Sequence, residues 1–495
     1  MSYSRTSHLI FLLLISIAAI ASNTNAQTVS FSRTDRDLSI DNPAQIVTAD
    51  FNKDGNLDLA FSDKFVPQVF VVLGDGHGAF GPEMSFPTVG PATSIVTADF
   101  NRDGNPDLAM AVPSQNSIVI LFGAGNGTFG APLELHAGPS PFQAPLGVVA
   151  GDFDGDGIPD LMSIAVGSNV VSFIKGNGDG TFGPYTFAGT VRDDPLMILA
   201  ADFNLDGILD IATANFDFFG ITVALGIGNG TLKSPFEMGT SSGGAVALTT
   251  GDFNQDTFPD LAFVHRFPQL PGTVSLVLGN GDGTFGPARS DATPGLDPRS
   301  IVTADFNLDG DLDVAVANLV SNTVSILPGT NDLFQIGSPQ NLLSFSNPIA
   351  LATGDFNNDC RPDLAVLNAG NGTLSILLNT TPKAPLQIVD VLLSKDVLWP
   401  PNHKLMDVTV DYSTTNTCGP VMCSLSVTSN EPVSGSGDNT APDWEIIDEH
   451  HVRLRAERAS NGSGRVYTIT ITCSDGSGNP VSTSATVTVP KNQRQ

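Results

Sequence analysis

The apolar positions fall in short runs instead of at helical spacing. Ser94-Ile95-Val96-Thr97-Ala98, Leu108-Ala109-Met110-Ala111-Val112 and Ile118-Val119-Ile120-Leu121-Phe122 follow one another, with Gly, Pro, Asn or Asp around them. Runs of that length between turn residues predict strands, and no stretch carries the 3.6-residue repeat of a long amphipathic helix. The same order recurs along most of the chain. An apolar strand enters an acidic segment, a second strand leaves it, and a third follows a variable connection. The third ends in a Gly-rich turn such as Gly176 to Pro184, and a weaker fourth strand closes the unit.

The acidic segments set the period. Each reads D-F-[ND]-x-D-x-x-x-D, and they begin at Asp50, Asp99, Asp152, Asp202, Asp252, Asp305 and Asp355, spaced 49 to 53 residues apart. Repeats of this length signal a modular array. Four short antiparallel strands per repeat make a propeller blade. The expected fold is all-β: a seven-bladed β-propeller over residues 27–382, followed by a small β-sandwich domain. The last repeat lacks its Gly-rich turn and fourth strand, while Val29-Ser30-Phe31 precedes the first loop. The N-terminal strand is therefore expected to complete the last blade and remove an exposed edge.

The acidic loops offer chemistry suited to Ca²⁺, which takes six to eight oxygen ligands. Oxygens at positions 1, 3, 5, 7 (backbone carbonyl) and 9 can wrap such an ion. The first loop supplies Asp50, Asn52, Asp54, Asn56 and Asp58. The second supplies Asp99, Asn101, Asp103, Asn105 and Asp107, and the third Asp152, Asp154, Asp156, Ile158 and Asp160. The fourth supplies Asp202, Asn204, Asp206, Ile208 and Asp210, and the fifth Asp252, Asn254, Asp256, Phe258 and Asp260. The sixth supplies Asp305, Asn307, Asp309, Asp311 and Asp313, and the seventh Asp355, Asn357, Asp359, Arg361 and Asp363. Position 6 is Gly in five loops, as a sharp turn at positive φ requires. Thr257 and Cys360 replace it in the fifth and seventh, which leaves open weaker binding or another backbone shape there. An EF-hand is excluded, since position 12 is never acidic and the flanks are strands. The Phe at position 2 is expected in the core.

The loops resemble those of the FG-GAP (VCBS) repeat family, which includes the propeller of integrin alpha subunits, over about 350 residues. The resemblance implies that each acidic loop joins the first two strands of a blade and holds Ca²⁺. It also implies adhesion or ligand binding more often than catalysis.

Composition narrows the partner. A formal charge of −29 argues against nucleic acid and against anionic membrane surfaces. The apolar run Leu9–Ala21 followed by Thr24-Asn25-Ala26 predicts a signal peptide over residues 1–26 and an exported chain with no membrane span after cleavage. In an up-and-down blade the acidic loops and Gly-rich turns share one face, and the variable connections share the other. Phe218, Phe219, His265, Arg266 and Phe267 on those connections are the candidate ligand contacts, although packing between blades explains the phenylalanines as well. From about residue 384 the pattern changes to six or so alternating strands, expected as an immunoglobulin-like sandwich over 384–491. Cys423 and Cys473 could link two sheets there; Cys418 competes as a partner, and Cys360 is left over. No Ser-His-Asp or Cys-His arrangement is legible. The expected role is a secreted, non-catalytic calcium-binding protein in adhesion or recognition of an extracellular protein. The alternatives are a glycan-binding lectin or the propeller of a polysaccharide lyase.

Overall fold

The computed structural model describes residues 28–491 apart from 139–143, 166, 193, 217–219, 240–242, 268–269, 292–293, 330–338, 416–420, 432–441, 459–463 and 476–479. The expected signal segment, together with Phe218 and Phe219, lies outside the described residues. Strands dominate, and the one helical turn among the described residues is 3-10, Pro113–Gln115. No helix among the described residues is long and apolar enough to cross a membrane.

Among the described residues, seven four-stranded antiparallel sheets follow one another. Their first strands are Pro43–Ala49, Ser94–Ala98, Pro145–Gly151, Pro195–Ala201, Gly244–Gly251, Pro298–Ala304 and Pro348–Gly354. Each first strand lies beside the next, and the last lies beside the first, so the sheets stand in a closed ring. The N-terminal strand Phe31–Asp37 is the fourth strand of the last sheet. It pairs antiparallel with Thr373–Asn379, Phe31 opposite Asn379 and Asp37 opposite Thr373. Closure by the chain's own first strand takes the outer edge of that sheet from solvent.

The second strands explain the apolar runs. Asp58–Asp63, Asp107–Val112 and their counterparts are buried throughout, except that Arg266 and Phe267 at the end of the fifth sheet's second strand are partly exposed. Alternate side chains of a strand point to opposite faces, and here both faces are covered by a neighbouring sheet. Leu59 and Phe61 pack with Ala365, Leu367 and Ile376 of the last sheet. Ala60 packs with Ile95, Leu108 and Met110 of the second sheet. Each such large side chain contributes about 1.5–3 kcal/mol on burial.

Residues after the ring form two further sheets. Gln387–Leu393, Leu405–Thr415, His451–Arg455 and Trp444–Ile446 make one, and Met422–Ser429, Gly464–Ser474 and Val481–Pro490 make the other. Leu398, Val410, Leu454, Tyr467, Ile469 and Val487 form their shared core. Cys423 and Cys473 are disulfide-bonded. The bond does not link the two sheets as expected. It joins neighbouring strands of the three-stranded sheet, where Cys423 stands opposite Cys473. Cys360 is also disulfide-bonded and not left over, and its partner lies outside the described residues.

Candidate functional site: the acidic loops and the opposite face

Each acidic loop connects the first and second strands of its sheet and is built on one hydrogen-bond pattern. In the first loop, Asp50 Oδ1 accepts the N–H of Asp54 at 3.1 Å and Asp50 Oδ2 that of Gly55 at 2.9 Å. Asp54 Oδ1 accepts the N–H of Asn56 at 2.8 Å. Asn52 Oδ1 accepts the N–H of Asp54, and its Nδ2 donates to Asp54 Oδ2. The fourth loop repeats each contact with Asp202, Asn204, Asp206 and Gly207. The chain thus holds carboxylate and amide oxygens of positions 1, 3 and 5 together at the outer turn. In the third loop Asp152, Asp154 and Asp156 present oxygens within 4.8 Å of one another. These hard oxygen donors fit a Ca²⁺ ion, whereas a zinc site would draw on Cys or His.

Position 9 has a different environment. Asp58, Asp107, Asp160, Asp210 and Asp260 have no exposure. Asp58 Oδ2 accepts the N–H of Phe51 at 2.8 Å, and its Oδ1 accepts that of Gly74, which opens the Gly-rich turn, at 2.8 Å. This carboxylate therefore pins the loop to the turn between strands three and four, and both lie on the same face. Burial pushes these five carboxyls up to about 6, and neighbouring acids of the same loop add to it, Asp54 and Asp50 at Asp58 and Asp154 at Asp160. Asp313 and Asp363 are pushed up to about 7, again first by burial.

Of the two alternatives left open at Thr257 and Cys360, a different backbone shape is not what the structure shows. Both keep the backbone shape of the glycine they replace, with φ of 75° and 63° beside 87° at Gly55. Their N–H groups still donate to position 1, Thr257 to Asp252 and Cys360 to Asp355. A β-branched residue at positive φ is strained, so the fifth loop holds its shape at a cost.

Contacts between loops were not legible in the sequence. The position-2 Phe is in the core as expected, and it also latches one sheet to the next. Phe51 stacks edge-on with Phe129 of the second sheet's turn, and its carbonyl accepts the N–H of Gly127 at 3.0 Å. Phe203 meets Phe285, and Phe356 meets Phe80 across the ring closure, in the same way. Position 4 reaches the following loop. Gln255 Nε2 donates to Gly310 O at 3.2 Å, and Asn358 Nδ2 donates to Asn56 Oδ1 at 2.8 Å.

On the opposite face the candidate ligand contacts separate. His265 is not a surface residue. It is fully buried, its Nε2 stands 2.8 Å from Ser275 Oγ and its Nδ1 3.2 Å from Gly243 O. Burial pushes its pKa down to about 4. It occupies the place held by Asn215, Asn318 and Asn368 in other sheets, each bonded to a Ser or Thr on the third strand. That shared pin explains the residue without a ligand. Arg266 is half-exposed and pairs with Asp297 at 2.6 Å, with its guanidinium 6.0 Å from the Phe216 ring. Phe267 is half-buried. Arg299 also binds Asp297, at 3.0 Å. Arg299 stands among the residues lining a central cavity of about 480 Å³, with Gln45, Thr93, Ser94 and Ser300.

FG-GAP-like repeats match residues 99–163, 152–213, 202–263, 267–316 and 305–366, more than half of the chain. The chain belongs to the FG-GAP-like repeat family. Four of the five matched FG-GAP segments begin at the first Asp of an acidic loop, and the first loop and the closing strand lie outside all of them. A search of the curated proteins finds no match. Among solved structures, one described by the specific recognition of non-reducing terminal N-acetylglucosamine by an Agrocybe aegerita lectin is similar at 18% identity. The alignment covers 72% of this chain and 87% of that one with a TM-score of 0.47, a likeness too low to bear on function.

Proposed function

We propose that this FG-GAP propeller is an exported, non-catalytic binding protein whose acidic loops are calcium struts and whose ligand surface is the opposite face. The observation that carries the reading is the repeated loop lattice. Positions 1, 3 and 5 converge in loop after loop on one face of the ring, with position 9 pinning the loop to the end of the third strand, at Gly74 in the first repeat and Asn379 in the last. Carboxylates held about 4 Å apart repel by roughly 4 kcal/mol per pair at an effective dielectric near 20, so a divalent cation relieves a cost already built into the fold. Two disulfide-bonded positions outside any cysteine-rich motif, Cys423–Cys473 and Cys360, suit an oxidising compartment.

The loops act at a distance from recognition. They hold the sheets in register through the position-2 latches, and the connections on the other face then present Arg266, Phe267 and the mouth of the central cavity. The partner we favour is an extracellular protein, with a glycan as the second reading. Glycan arrays and immobilised matrix proteins, probed with the intact protein in millimolar calcium, separate the two. Calcium-dependent retention on protein, lost in the Arg266→Ala variant, supports the first. Retention on glycans alone supports the second, and turnover of polysaccharide by the purified chain would contradict both.

A further inference from the structure

The third loop differs from the other six at two places that meet in space. Position 3 is Asp154, where the others carry Asn52, Asn101, Asn204, Asn254, Asn307 and Asn357. The residue entering the turn is Lys175, where the others carry Leu73, Phe122, Leu225, Leu278, Pro328 and Leu378. In several sheets this residue crosses the boundary to lie against a turn glycine of the next sheet. Leu73 lies against Gly127, Phe122 against Gly180, Leu225 against Gly283 and Leu378 against Gly78. Lys175 does not take that path. Phe173, two residues earlier, packs against Gly230 in its place. The lysine turns back on its own loop, where Nζ bonds Asp154 Oδ2 and lies 2.6 Å from Asp156 Oδ2.

We propose that Lys175 is the resident cation of the third loop, standing where the other loops take a metal ion. This rests on the reading of those loops as calcium sites. The argument is one of charge and space. Asp154 adds one negative charge relative to the other loops, and Lys175 adds one positive charge within bonding distance of it. An ammonium has three donors and no need of six to eight ligands. Seated between two of the three clustered carboxylates, it leaves their oxygens unavailable to calcium until it is displaced. The third loop therefore keeps its shape in calcium-free conditions, and this strut does not respond to the ion.

Three full-length proteins test this: wild type, Lys175→Leu and the Asp154→Asn/Lys175→Leu pair. Leu is the residue four other sheets carry at this place, and Lys175 is partly exposed, so the change is tolerable for packing. Bound calcium per chain is counted by equilibrium dialysis, and melting is followed in EGTA. Lys175→Leu is expected to bind one more calcium ion than wild type. In EGTA it should melt lower by roughly 2 °C or more, and the double variant should recover most of that fall. Equal calcium counts with equal EGTA melting overturn the proposal. If none of the three proteins binds calcium, the reading of the loops fails, and EGTA melting alone decides. A fall rescued by Asp154→Asn then upholds Lys175 as the loop's cation, and an unchanged melt rejects it.

Discussion

In the C-terminal sheets, Asp443, Glu457 and Glu431 close around a single guanidinium. Arg465 is 4% exposed and reaches Asp443 at 2.7 Å, Glu457 at 3.2 Å and Glu431 at 3.4 Å, with Tyr467 Oη at 3.1 Å. In the propeller, carboxylates converge just as closely, but on turns open to solvent, and backbone N–H groups are their main partners. The difference teaches how a chain with 51 acidic and 22 basic residues keeps its acids apart. Where several are buried together, a protein cation is built in, whereas the position-9 aspartates, buried one to a loop, are held by backbone N–H groups. Where they are at the surface, the cation can come from solution. The third loop stands between the two, an exposed loop with a cation of its own.

Removing the internal cation should have the largest effect. Arg465→Met removes the guanidinium that three buried acids share and should destabilise the C-terminal sheets by about 3–5 kcal/mol. Urea unfolding followed by Trp fluorescence measures it, since Trp444 packs edge-on against Tyr467. A loss well under 1 kcal/mol would show that the cluster is not held by its arginine. Next is the pin at position 9. Asp210→Asn puts an amide where both oxygens now accept N–H groups, from Phe203 at 2.9 Å and Gly226 at 2.7 Å. A cost of about 1–3 kcal/mol is expected, because one buried N–H loses its acceptor. The smallest effect is on pH. The position-9 carboxyls have folded values near 6 to 7, above the ordinary 3.8. Between those values the folded state binds more protons than the unfolded one, so stability falls as pH rises through that window. Metal-free protein should therefore melt higher near pH 4.5 than near pH 7, and calcium should flatten or reverse the slope. A metal-free melt that rises with pH would place these carboxyls in a different environment.

Much of the fold was legible because it is repeated. One strand pattern recurring at a fixed period overrides local ambiguity, and the fourth strand missing from the last repeat pointed to an N-terminal closing strand, expected at Val29-Ser30-Phe31 and found at Phe31–Asp37. The loop residues were legible for the same reason, as were the glycine at position 6 and its two replacements. Contacts between elements far apart in sequence were not. The latch from Phe51 to Gly127 and the bond from Asn358 to Asn56 join different repeats, and no periodicity within a repeat encodes them. His265 looked like a surface group because it ends an apolar strand beside Arg266 and Phe267. Both faces of that strand are covered, which buries it, and comparison with Asn215, Asn318 and Asn368 was the available signal. The Arg465 cluster draws on four separate segments, and nothing in their spacing brings them together.

The account turns on whether the acidic loops take their cation from solution. Calcium titration of chelator-stripped full-length protein by calorimetry, with melting in calcium and in EGTA, tests this most directly. Dissociation constants of about 10⁻⁴–10⁻³ M are typical of extracellular modules, and in millimolar calcium they correspond to roughly 0.4–1.4 kcal/mol per occupied site. The predicted result is uptake of several ions per chain and a clear rise in melting temperature that EGTA abolishes. No binding heat, together with identical melting in calcium and EGTA, would contradict it.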